Sequence, residues 1–243
     1  MPRTLAVDVG GSKIKATVLD ADGAPVVDPV REKTPRRLAP DGLVDLVARL
    51  ADDLPTFDRV SIGFPGIVVH GVIYTAPALG TADFRGVRLA TLVRRRLGKP
   101  TRVVNDAEMH ALGAIAGEGL EIVLTLGTGV GAAVFCDGRP GPQFALTTLP
   151  PPGPGSRVRA MADLGNASRK RMGGRAWSTQ VLRVVAHLRE LTEFDRLYLG
   201  GGNGKRVEGE LPEDVIVVDN AAAFDGGARL WQRRRTRRRR APT

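Results

Sequence analysis

Three times along this chain, a short run of apolar and β-branched residues stops abruptly in glycines. DVGGSKIK occupies 8–15 behind TLAV, LGTGVG occupies 126–131 behind EIVLT, and LGGGN occupies 199–203 behind RLY. Runs of this composition read as buried strands. A glycine-rich turn after such a strand lets the backbone approach an anion with successive amides pointing inward. One such turn is more often a tight hairpin than a phosphate cradle; three, each after a buried strand, favour an architecture with phosphate-type loops at its strand ends.

The remaining pattern supports that architecture. Strands are expected at 4–8, at 13–20 and, after the Asp22-Gly23 turn, at 24–28, then at 59–64 and as a broken pair over 67–74. Further strands are expected at 101–106, 121–127, 131–138 and 215–218. Helical spacing starts at Asp41 with Leu43, Val44, Leu46, Val47 and Leu50. It recurs at Leu89 to Leu97, which ends in Gly98 with Pro100 beyond, and at 107–117, 174–192 and 221–231. The stretch 139–157, with Pro150, Pro151, Pro152 and Pro154, reads as an irregular loop.

The loops carry the candidate chemistry. Gly10, Gly11, Ser12, Lys13 and Lys15 in the first, Gly127, Thr128, Gly129 and Gly131 in the second, and Gly201, Gly202 and Asn203 in the third are candidate phosphate and nucleotide ligands. Asp8, an acid at the mouth of a buried strand, is suited to hold Mg2+ through water, since that ion prefers hard oxygen ligands and keeps much of its hydration. Asn105-Asp106 ends another strand. Asp106 can accept a proton from an attacking hydroxyl with Asn105 orienting that hydroxyl, or the two can cap the following Ala-rich helix, and both readings stand together. His110, one helical turn beyond Asp106, is within reach of a cleft, whereas His70 and His187 read as packing or surface residues.

Charge and composition narrow the class. The net charge is +10, but seven of the positive charges lie between Arg233 and Arg240, so the basicity is largely a tail. That tail is either a solvated appendage or a polyanion contact. No aromatic residue interleaves with its arginines, which argues against sequence-specific nucleic-acid reading. No apolar run approaches membrane-spanning length, and Met1-Pro2-Arg3 leads into Leu5 without a long apolar leader, so a cytoplasmic protein with no membrane partner is expected. The single cysteine, Cys136, leaves no intramolecular disulfide.

In order along the chain, DVGGSKIK, GFPG at 63–66, VVNDAEMHALG, LTLGTGVGAAVFCDG, LYLGGGN and VVDNAAAFDGGARLW resemble the motifs of the ROK sugar kinases, in their short polyphosphate-glucokinase-like branch. The resemblance runs from residue 4 to about 232. It implies the α/β, two-lobed actin-like (RNase H-like) ATPase fold with a central cleft. A small lobe would span 1–105, with the closing helix 221–232 packing back near the lobe junction. A large lobe would span 106–220, and a basic tail 233–243 would emerge beside the cleft. It implies a phosphotransferase that moves a phosphoryl group from ATP or polyphosphate to a hydroxyl of a sugar or sugar-like small-molecule acceptor. Asp106 would be the general base, Gly63, Pro65 and Gly66 the sugar-side turn with Asn105, and Mg2+ the cofactor; a homodimer is compatible with it. The alternative is a catalytically weak or inactive protein of the same fold that binds nucleotide or polyphosphate. Ala145 and Thr148 stand where the family carries a sugar-binding glutamate and histidine, and Ala78 where many relatives carry asparagine. Glucose is therefore not the expected acceptor.

Overall fold

Alternation within the first strand decides the layering. In β1 (Thr4–Val9), Leu5, Val7 and Val9 enter one apolar core while Ala6 faces another, and the period of two puts Asp8 on the side of Ala6. β2 (Lys13–Leu19) returns antiparallel beside β1, and β3 (Val30–Lys33) pairs with β2. Helix α1 (Pro40–Asp52) buries Leu43, Leu46, Val47 and Leu50 over the Leu5 side. β4 (Arg59–Phe64) lies parallel to β1. A two-residue hairpin, β5 (Val68–Val69) and β6 (Val72–Ile73), and the short α2 (Thr81–Phe84) follow. Helix α3 (Leu89–Leu97) then leads to β7 (Thr101–Asn105), parallel to β4. The strand order is β3-β2-β1-β4-β7.

The second half repeats the design. After α4 (Asp106–Ala114) come the antiparallel β8 (Leu120–Leu126), β9 (Val130–Cys136) and β10 (Arg139–Pro140). Helices α5 (Asn166–Met172) and α6 (Gly174–Thr192) precede β11 (Arg196–Gly200), parallel to β8, and β12 (Val215–Val217), parallel to β11. The order β10-β9-β8-β11-β12 matches the first sheet, antiparallel on one side and parallel on the other. These two sheets are the two lobes of the expected α/β fold. This computed structural model describes residues 1–143, 164–218 and 222–232. No helix among them is long and apolar enough to cross a membrane.

Between the sheets lie α4 and α7 (Ala222–Arg229), packed on each other, with α7 also against β1. Gly226 makes this possible: a Cβ there would fall on the carbonyl oxygen of Met109 in α4, so the two helix backbones touch. Ser61 Oγ donates to the carbonyl of Gly227 at 2.7 Å, fixing α7 against β4.

Several expectations are corrected. The third strand is not at 24–28 but at Val30–Lys33; Pro25 forms only an isolated bridge to Leu19, and Pro25 and Pro29 have no amide to give a ladder. The helix expected to 117 ends at Ala114, because the buried Glu121 carboxylate accepts the amides of Ala116 at 2.8 Å and Gly117 at 2.7 Å. Helices α2 and α5 were not foreseen. The last described residues, Trp231 and Gln232, do not lie beside the cleft. Trp231 donates Nε1–H to Ser61 Oγ at 2.8 Å, and the guanidinium carbons of Arg102 and Arg59 lie 4.4 and 5.3 Å from its ring centroid. Arg102 also donates to the carbonyl of Leu230. Arg59 and Arg102 stand at the starts of β4 and β7, the ends opposite the glycine-rich turns. Residues 233–243 themselves, like the 144–163 part of the proline-rich loop with Ala145 and Thr148, lie outside the described residues.

Candidate functional site

The turns at the carboxyl ends of β1, β4, β7, β8 and β11 open into one cleft of about 660 Å3 between the lobes. Strand ends of open α/β sheets are where ligands bind, because amides and helix starts converge there. Asp8, Gly10, Gly11, Ser12, Lys13 and Lys15 line it from the first lobe, with Pro65, Gly66, Asn105 and Asp106. Gly127, Thr128, Gly129, Gly131, Gly201, Gly202 and Asn203 line it from the second. Of the residues singled out from the sequence, only Gly63 does not reach the cleft wall; it lies beneath Asp106, where a Cβ would crowd Met109 and the Asp106 Cα.

The first two glycine-rich turns close themselves with one amide each. Gly10 N donates to Lys13 O at 3.0 Å, and Gly127 N to Gly129 O at 2.9 Å. That leaves the amides of Gly11, Ser12, Thr128 and Gly129 without a backbone partner among the described residues, and these are the groups able to meet an anion. The third turn depends on Gly201 at φ +78, in the left-handed region and against the backbone of Leu126, so a side chain there would meet both strain and a clash. Lys15 Nζ lies 3.1 Å from Asp8 Oδ2, a pair open to the cleft.

At the junction of β7 and α4, capping and site-building coincide. Asn105 Oδ1 accepts the Glu108 amide at 3.1 Å, the N-cap bond of α4. Its Nδ2 donates to Gly66 O at 2.9 Å and to Asp106 Oδ1 at 3.1 Å, tying the turn after β4 to the carboxylate. Asp106 Oδ1 also accepts the Ala107 amide at 2.8 Å. Burial, and next the nearby Asp8 charge, push the Asp106 carboxyl up to about 7 despite these bonds. It is thus poised where a general base works near neutral pH.

His110 lines the cleft as expected, its Nε2 beside Gly200. Other participants gave no sequence signal. Thr34 donates Oγ1–H to Gly10 O at 2.6 Å and its amide to Ser12 O at 3.1 Å, bracing the first turn. Gln143 reaches from the end of β10 to both Val68 and Glu108. Asn166, at the start of α5, donates its amide to Gly127 O at 2.9 Å. Among the described residues, no three His, Cys, Asp or Glu side chains gather as a metal site. Two carboxylates, Asp8 and Asp106, face a cleft equipped for phosphate. That set fits Mg2+, which takes one or two carboxylates and completes its shell with phosphate and water.

The chain is similar to proteins of known kind. The chain is 27% identical over 236 residues to the polyphosphate glucokinase of Mycobacterium tuberculosis, covering 91% of this chain and 88% of that one. The inorganic polyphosphate/ATP-glucomannokinase of Arthrobacter sp. strain KM superposes with a TM-score of 0.82 at 25% identity, over 95% of this chain and 98% of that one. A ROK family glucokinase from Streptomyces griseus, solved with glucose and AMPPNP, gives 0.75 at 20% identity, over 94% and 98%. Both superpositions span the two sheets and the cleft between them. The ROK family model matches residues 4–142, from β1 through α4 and the second glycine-rich turn to the end of β10, and the chain belongs to the ROK family.

Proposed function

We propose that this protein is a phosphotransferase that moves a phosphoryl group from ATP or polyphosphate to a hydroxyl of a sugar or sugar-like acceptor. The observation that carries the reading is the position of Asp106, between the turn after β4 and two turns with open amides, with its carboxyl raised to about 7. The Asp106 carboxylate takes the proton of the acceptor hydroxyl as that oxygen attacks the terminal phosphorus, and the bond to the leaving phosphate breaks with its electron pair. Open amides at Gly11, Ser12, Thr128 and Gly129, with Lys13 and Lys15, meet the charge on the phosphate oxygens. Asn105 holds Asp106 and Gly66 in register through its side-chain amide. Gly201, Gly202 and Asn203 form the far wall, on the side where a nucleotide donor would extend. Asp8 would hold Mg2+ through water, and the bound ion would neutralise part of the phosphate charge. The named relatives use polyphosphate, ATP and sugars, which supports both donors for this chain.

A coupled phosphorylation screen of sugars with ATP and with polyphosphate, with Asp106→Asn as control, tests the proposal. Turnover that disappears in the variant supports it. No turnover with either donor would leave a protein that binds phosphate compounds without transferring them.

A further inference from the structure

The turn after β4, assigned above to the acceptor, runs straight into the hairpin of β5 and β6, whose strands of two residues each are too short to hold a position by themselves. Val68 lies opposite Ile73 in that hairpin. Ile73 has its backbone groups on one outer edge, where its amide donates to Val87 O at 3.0 Å and its carbonyl accepts the Gly86 amide at 2.8 Å. Val68 has its groups on the other edge, and one side chain takes both. Gln143 Oε1 accepts the Val68 amide at 2.9 Å, and Gln143 Nε2 donates to Val68 O at 2.8 Å. The side-chain amide thus stands in for the peptide group of a neighbouring strand.

Gln143 itself belongs to the other lobe. It follows β10, and the Gly141 amide between them donates to Val134 O in β9 at 2.7 Å. The second Nε2 hydrogen of Gln143 goes to Glu108 Oε2 at 2.9 Å, in the first turn of α4. From there the bonds lead back to the hairpin. The Glu108 amide donates to Asn105 Oδ1 at 3.1 Å, and Asn105 Nδ2 donates to Gly66 O at 2.9 Å, two residues before Val68. The ring Gln143, Glu108, Asn105, Gly66, Val68 is therefore closed, with Val68 and Glu108 buried. Asn105 Nδ2 also donates to Asp106 Oδ1 at 3.1 Å, so the carboxylate hangs on the same ring.

Groups in one buried network hold one another in place, and opening it at one member loosens the others. Gln143 is the member through which the second lobe enters. We infer that Gln143 is a positioning residue for phosphoryl transfer: from the second lobe it sets the acceptor turn and, through Glu108 and Asn105, the Asp106 carboxylate in register with each other. The ring includes none of the open amides at Gly11, Ser12, Thr128 and Gly129, so the donor side stands apart from it. This rests on the phosphotransferase reading above and adds a residue to it.

Gln143→Met in the full chain keeps the length of the side chain and removes every bond of its amide. The kinetic probe is the fastest acceptor of the sugar screen, glucose and mannose included, with ATP or polyphosphate as donor. Per folded molecule, kcat/KM for the acceptor should fall at least about tenfold while KM for the donor stays within about twofold. A loss of stability alone would lower the folded fraction and move neither quantity. A smaller fall, or a donor KM that rises with it, overturns the inference and leaves the phosphotransferase reading intact. Gln143→Asn, one methylene too short to span Val68 and Glu108, should behave alike and carries the test if Gln143→Met does not fold. If the wild type phosphorylates no sugar, that reading fails, and the ring is then read by NMR from hydrogen exchange at the Asn105 side-chain amide. Exchange at least about tenfold faster in the variant supports Gln143 as the residue that sets Asn105 and Asp106, and a smaller change overturns it.

Discussion

The property that suits Asp106 to its proposed role as general base also costs stability. In an unfolded chain its carboxyl titrates near 4, but in the fold burial and then Asp8 raise it to about 7. Between those values the folded state holds a proton that the unfolded state has released. Stability conferred by that proton is therefore full below about pH 4 and is lost as pH rises to about 7, on the order of a few kcal/mol. Asp106→Asn should flatten this loss and raise the melting temperature at pH 8, which thermal unfolding at pH 5 and pH 8 would measure. The same substitution keeps the size of the side chain but removes the proton acceptor. Phosphoryl transfer should fall at least about a hundredfold while nucleotide binding stays within about twofold. Retention of a tenth of wild-type activity would remove Asp106 from the role. In the wild type, kcat/KM should fall about tenfold per pH unit below about 7 and level off above it. The free protein's base must be ionised to act, and Asp8 on β1 and Lys15 on β2 are the charges that face it.

At the scale of elements, the contact between α4 and α7 governs the site from behind. Gly226→Ala would push a methyl into the Met109 carbonyl, so the helices must part. The expected cost is about 3 kcal/mol of stability. Because α4 carries Asp106 at its first position, kcat should fall more than donor affinity; denaturant unfolding and steady-state kinetics on the same protein separate the two effects. Elements that carry an apolar stripe, such as α1 with Leu43, Leu46, Val47 and Leu50, were legible from spacing alone. Cleft residues were legible because glycines and acids at strand ends have few packing uses, and Gly63 was misread because its smallness serves Asp106 from beneath. Helix α5 was not legible: NASRKRM has no apolar stripe, and its start is held by the turn at Gly127. Gln143 could not be found either, since its meaning depends on Val68, 75 residues away, and Glu108, 35 residues away.

For the whole molecule, the last described residues, Trp231 and Gln232, lie by Arg59 and Arg102 at the starts of β4 and β7, away from the cleft, and seven arginines follow Gln232 in the sequence. Trp231 gives its N–H to Ser61, and the guanidinium groups of Arg59 and Arg102 lie over its ring. Truncation after Gln232 should weaken polyphosphate binding and flatten its salt dependence, yet leave ATP affinity within about twofold, because a long polyanion releases many counterions and one nucleotide few. Titrations of both ligands at two salt concentrations decide it, and equal affinities and slopes in the two proteins would make the tail a solvated appendage. The anchoring of Trp231 and Gly227 on Ser61 also has a bearing on biosynthesis. The bonds span 166 and 170 residues, so the face of β1 and β4 that α7 covers stays open until α7 and Trp231 have left the ribosome. At about 5–20 residues per second, that is on the order of 10–30 s during which Ala6 and Leu19 are exposed on a nascent lobe. The lobe made first is thus the one completed last, and it is the part of the chain for which a chaperone waiting at the exit tunnel would matter most.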